Sequence, residues 1–167
     1  MKLVPYDRAA AVRYAHSWAY RRSPRYYDYE ALGGDCTNFA SQCLFAGSRV
    51  MDYTPTYGWY YKNANDKAPA WTGVVFLYNY LTRDRAAPGP AARDAGIGEM
   101  APGDVIQLSF DGVHWAHTPI VVSVSSPAAP ESILVAAHSE DADNRPLSTY
   151  DYAAVRFLHV FGVYKAP

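Results

Sequence analysis

The stretch GGDCTNFASQCLFAG, residues 33–47, holds both cysteines of the chain, seven positions apart. Its reading decides what kind of fold surrounds them. The glycine pair Gly33-Gly34 marks a tight backbone approach, Asp35 is placed to cap a helix, and Gly47 suits the position just past its end. Along such a helix, Cys36 and Cys43 lie about 10 Å apart, beyond the roughly 7 Å limit for a disulfide. A zinc knuckle needs closer thiols, as in CxxC, and this spacing does not supply it. Cys36, Phe39, Ala40, Cys43 and Leu44 share one apolar face. Cys43, in the middle of that face, reads as a small buried hydrophobe. Cys36 lies in the first turn, where orphan N–H groups and the helix dipole favour a thiolate. From position alone it is either a nucleophile or a second core cysteine.

Outward from this helix the chain changes character. Before it, PYDRAAAVRYAHSWAYRRSP predicts a helix capped by Asp7 and ended by Ser23-Pro24. After it come an aromatic loop, TPTYGWYY, and a further helix predicted to be capped by Thr72. Residues 83–103 are rich in Ala, Pro and Gly and predict a surface loop. The last third holds four β-branched and aromatic runs, GDVIQLSF, HTPIVVSV, ESILVAAH and VRFLHVFGVY, the mark of an antiparallel sheet. Helices first and strands afterwards argue an α+β fold. At 167 residues the chain is read as one domain, 1–167, with no internal repeat.

A nucleophilic cysteine needs a base, and five histidines are available: His16, His114, His117, His138 and His159. His16 reads as a surface or packing residue of the first helix, and His159 as a core histidine within a strand. His114 fits least well, because three residues of extended chain separate it from the face of His117. His117 opens one strand and His138 closes the next. In an antiparallel hairpin turning between Pro127 and Ala128 they become neighbours, a base and the group that orients it. The same two imidazoles, with Asp141 or Asp143, also suit a metal.

Composition removes several function classes. Hydrophobic residues are 50% and charged residues 19%, the balance of a globular protein. A net charge of −1 with scattered arginines argues against a nucleic-acid partner. No apolar run approaches the roughly 18 residues of a membrane span, and the start, MKLVPYDRAA, lacks the apolar core of an export signal. Fifteen tyrosines and four tryptophans either line a binding groove or fill a tyrosine-rich core and surface.

The quoted pieces together, GGDCTNFASQCLFAG, GWYY, WTGVVFLYNYL, MAPGDVIQL, the histidine opening an IVV strand and HSEDADNRPLS, resemble a bacterial putative amidase domain. That domain is in turn similar to the papain-like cysteine hydrolases of the NlpC-like and CHAP groups. The resemblance implies a papain-like (NlpC-like) α+β fold, its nucleophile helix packed on a central antiparallel sheet. It implies Cys36 as nucleophile, His117 as general base and acid, and His138 as the third polar residue. No glutamine precedes the cysteine to supply a papain-type oxyanion donor, so Asp35 and Gln107 are the orienting or oxyanion candidates, beside the Cys36 backbone N–H. Trp59, Tyr60, Tyr27, Trp115 and Asp141 are the substrate-binding candidates, and Tyr29 is a further donor candidate. The implied activity is amide hydrolysis through a thioester on a small-molecule, peptide or cell-wall substrate, with no metal or other cofactor, in a chain expected to be monomeric. Acyl transfer at the same site, a metal-dependent hydrolase and a non-catalytic glycan- or peptide-binding module are the alternatives. The compartment is left open.

Overall fold

Every β-branched run of the last third becomes a strand, and each finds antiparallel partners. The computed structural model describes all residues, 1–167. In chain order it contains β1 (Lys2–Val4), α1 (Arg8–Trp18), α2 (Cys36–Ser48), β2 (Tyr61–Asn63), β3 (Asp66–Lys67), α3 (Pro69–Thr72), α4 (Val74–Thr82) and β4 (Gly89–Ala95). There follow β5 (Val105–Ser109), β6 (Ile120–Val124), β7 (Ile133–Ala137), β8 (Ala142–Pro146) and β9 (Ala154–Lys165). The architecture is α+β, with one mostly antiparallel seven-stranded sheet and a separate β2–β3 ribbon.

The long strand β9 organises the sheet. β4 pairs along one edge of it, while β5 and then β1 pair along the other. From β5 the sheet continues through β6 and β7 to β8. Side-chain alternation gives it two apolar faces. Val105, Ile120, Val122, Ala136, Leu158 and Val160 pack with α1 and α2, while Ile106, Leu108, Val121, Ile133 and Val135 pack with Leu147 and Tyr150 on the other side.

The helix starts follow the sequence closely. Asp7 caps α1, its carboxylate accepting from Ala10 N–H at 3.0 Å. The second helix begins at Cys36, as expected, but Gly47 lies inside it and Arg49 takes the left-handed C-cap at φ 64°. Gly47 is glycine for another reason: a Cβ there would sit 2.4 Å from the Tyr6 ring. The helix expected to start at Thr72 is instead two short ones broken at extended Gly73, with Thr72 ending the first. The expected loop over 83–103 contains β4, whose Ala-rich sequence carries no strand pattern of its own and takes its form from β9.

The β6–β7 hairpin forms, with a register one residue away from the expected one. Ile120 faces Ala136 and Val121 faces Val135, and a bulge then puts Ser123 opposite Leu134. Continued past the strand ends, the Ile120–Ala136 register sets Thr118, not His117, opposite His138. A one-residue slip moves a side chain to the other face of the sheet. The two histidines are therefore not the neighbours that the spacing predicts.

Candidate active site

Asp35 precedes α2 and is fully buried. Its carboxylate makes no cap bond to the helix N–H groups. Instead Oδ1 accepts from Tyr29 N–H at 2.8 Å and from the Asn38 amide at 2.9 Å, and Oδ2 lies 2.6 Å from His138 Nδ1. His138 Nε2 lies 2.8 Å from the Trp18 carbonyl, and its ring stacks on Phe39 with centroids 4.0 Å apart. With both nitrogens engaged, His138 has none left for His117. It ties the end of β7 to the end of α1 and the start of α2.

The glycine pair lets the chain reach this arrangement. Gly33 and Gly34 adopt φ of 97° and 105°, open to glycine and strained for any other residue, and a Cβ on Gly34 would meet the Ser139 hydroxyl at 3.1 Å. Ser139 and Glu140 also hold positive φ, at 61° and 58°, in the turn after β7. That turn presents Ser139 Oγ to Asp35 N–H at 3.2 Å and to Glu30 at 2.9 Å.

Cys36 is free and buried, as is Cys43, and no disulfide joins them. The Cys36 sulfur lies 3.8 Å from the Thr37 hydroxyl, and the polar groups of Thr37 and Thr118 beside it favour the thiolate. Burial is the larger influence and raises the thiol pKa above its usual 9.0. The dipole argument for a resting thiolate is outweighed there by desolvation. Cys43 is pushed up further by burial, as suits a packing residue in the interior of α2.

His117 adjoins Thr118 and lines a cleft of about 520 Å³ together with Glu30, Ser139, Glu140, Arg145 and Tyr150. Burial, and then the charge of Arg145, lower its pKa from 6.5 to about 4, so the imidazole is neutral at physiological pH. Its Nε2 is buried without a hydrogen-bond partner, and so is the hydroxyl of Tyr150, whose ring centroid is 5.4 Å away. Tyr150 was not among the sequence candidates, and nothing in the pattern around it points to the site. Thr118 and Thr37 were also missed. Their hydroxyls meet at 3.1 Å and tie the start of α2 to the segment before β6.

The remaining candidates lie elsewhere. Gln107 is buried with both ends committed: its amide donates to the Val74 carbonyl at 2.8 Å, and its oxygen accepts from Arg156. It is therefore a core fastener and not a free oxyanion donor. Trp59 is fully buried, tilted against Trp71 with ring centroids 4.7 Å apart, and its N–H donates to the Ser41 hydroxyl at 3.0 Å. Tyr60 packs beside Tyr53, Trp115 lies under Arg156, Tyr27 meets Tyr29 edge-on, and Asp141 is paired in two places with Arg22. None of these five lines the cleft. The Tyr29 hydroxyl donates to the Ala64 carbonyl. His16 pairs with Asp143, His114 with Asp111 and half-buried His159 with Asp104. No three His, Cys, Asp or Glu side chains stand where they could hold one metal ion.

Fold and site thus define an α+β protein with a mostly antiparallel sheet, in which a buried cysteine starts α2 and a histidine ahead of β6 lines a cleft. The chain belongs to the putative amidase domain family, whose model matches residues 5–161. It is also 36% identical over 152 residues to "Uncharacterized protein YhbB" of Bacillus subtilis (strain 168), an alignment covering 89% of this chain and 46% of that protein. The chain thus spans about half the length of this curated relative. No solved structure matches it. Membership supports amidase activity, and no helix is long and apolar enough to cross a membrane.

Proposed function

We propose that this chain is a cysteine-dependent amidohydrolase with a papain-like fold related to the NlpC-like and CHAP hydrolases. The observation that carries this reading is the junction at Thr118. Its hydroxyl meets that of Thr37, the neighbour of Cys36, at 3.1 Å and its backbone favours the Cys36 thiolate, while the adjoining His117 presents a neutral imidazole to the cleft. Cys36 attacks the amide carbonyl as His117 takes the thiol proton. The tetrahedral oxyanion is received by N–H groups at the start of α2, which the Asp35 carboxylate leaves uncapped. His117 then protonates the departing amine as the C–N bond breaks. Water, deprotonated by His117, then adds to the thioester carbonyl; the C–S bond breaks, the carboxylic acid leaves, and His117 returns the proton to the Cys36 sulfur.

His138 enters as a positioning residue. It holds Asp35, and through Asp35 the first turn of α2, rather than the His117 ring. The cleft also favours a class of substrate. Glu30, Glu140 and Asp151 line it against one cation, Arg145, which already donates to Thr149 and lies 3.6 Å over the Tyr150 ring. Peptide or cell-wall amides bearing an ammonium group near the scissile bond fit that balance.

Amide hydrolysis by the purified chain, with its Cys36→Ala and His117→Ala variants, tests the proposal. The expected result is activity lost in both variants and on iodoacetamide treatment, and kept in chelator. Activity that survives iodoacetamide and disappears with chelator would establish the metal-dependent alternative. A ligand bound without turnover, unaffected by Cys36→Ala, would establish a binding module. An amine acceptor found in the product in place of water would make the enzyme an acyltransferase.

A further inference from the structure

A second cavity of about 540 Å³ lies on the opposite side of α2's length from Cys36, between α1, the segment following it and the C-terminal half of α2. It shares no lining residue with the His117 cleft. Its charge is one-sided. Arg25 and Arg49 line it, neither guanidinium has a carboxylate partner, and no acidic residue is present in its wall. Arg8, Arg22 and Arg93, by contrast, are paired with Asp104, Asp141 and Glu99.

The floor adds a second observation. Gln42 is only 3% exposed, and its Oε1 accepts the hydroxyl of Tyr14. That bond fixes the amide so that Nε2, which has no partner within the protein, is available to the cavity. Nε2 is not sealed off, so a ligand oxygen in the cavity can take the place of water as its acceptor. Around these donors Tyr14, Tyr26 and Phe45 form an aromatic wall. Two unpaired cations, an inward amide donor and aromatic surface make a receptor for an oxyanion carried on a flat or apolar group.

We infer that this cavity is a binding site for a small organic anion, a carboxylate or a phosphate, held by Arg25, Arg49 and Gln42. It is independent of the catalytic proposal. Benzoate and phenyl phosphate serve as probes, benzamide as the neutral control and inorganic phosphate as the bare anion. Calorimetric titration of the full chain should show saturable binding of benzoate or phenyl phosphate that weakens as salt is added, with benzamide at least tenfold weaker. The relative affinity of the two anions decides between carboxylate and phosphate. Arg25→Gln, Arg49→Gln and Gln42→Leu should each weaken binding at least tenfold, while Cys36→Ala leaves it unchanged. The side-chain amide signal of Gln42 should shift during the titration. Both arginines are exposed, so their variants fold, and melting temperature verifies this. Absence of saturable binding by either anion, binding that survives the Arg25→Gln/Arg49→Gln double change, or benzamide binding as well as benzoate would overturn the inference.

Discussion

His117 carries the clearest consequence at the scale of single residues. Its pKa in the folded chain, about 4, lies below the ordinary value of 6.5, so the unfolded chain binds the extra proton first as pH falls. Stability is therefore unaffected by this group above pH 6.5 and declines between 6.5 and about 4, by up to ~3 kcal/mol. Urea denaturation at pH 7.5 and pH 5 should show this loss in the wild type and a smaller one in His117→Gln. Activity follows the same logic. With a neutral base and a thiol whose pKa is raised, kcat/KM should stay level from about pH 5 through neutrality. An acid limb centred near pH 6.5 would show that His117 is not buried as described. Alkylation rate alone does not separate nucleophile from core cysteine here, because burial slows Cys36 too. Its dependence on His117 does, while Cys43 should react only on unfolding.

The Asp35–His138 pair belongs to the scale of elements, since it joins α1, α2 and β7. Removing one partner strands the other with its buried polar atoms, a change that costs about 3–5 kcal/mol for a buried pair. His138→Ala and Asp35→Ala should each lower stability by that order in urea titrations. His138→Ala should reduce kcat more than KM if the start of α2 is displaced, a readout that loss of fold alone does not give. Sequence reasoning found this element pairing only in part. The start of α2, the four β-branched strands and the histidine at the end of β7 were visible as local pattern, whereas β1, β2, β3 and β8 were not. The partner of that histidine was not, because the turn closes further along the chain than its residues suggest, with Ser125 N–H bonded to the Ser132 carbonyl, and the bulge between Val121 and Ser123 recovers only part of that offset. β4 and the break at Gly73 also went unread: their form comes from β9 and from packing, not from propensity.

At the scale of the whole molecule, the aromatic abundance resolves mainly into core. Trp59, Trp71 and Tyr80 form one buried aromatic group, with Tyr80 stacked on Trp59, Trp71 tilted against it, and Tyr61 of β2 beside Trp71. Trp59→Ala should therefore cost about 3–5 kcal/mol of stability with KM unchanged at a temperature where the variant is folded. A raised KM with undiminished stability would restore Trp59 to the substrate site. The fold class was legible because segregated helices and strands leave few architectures open. The cleft was not, since its walls come from separate segments, around Glu30, Phe110, Ser139 and Thr149–Asp151, and no local pattern says that they meet.

Catalysis by this chain turns on whether Cys36 forms the acyl-enzyme with His117 as its base. The direct measurement is the intact and peptide mass of the chain, acid-quenched during turnover of a panel of amide and activated-ester substrates, including ammonium-bearing ones. The account predicts an acyl adduct on the peptide containing Cys36, absent in Cys36→Ala and slow to form in His117→Ala. Turnover with no adduct on Cys36, or an adduct that forms equally fast without His117, would contradict it.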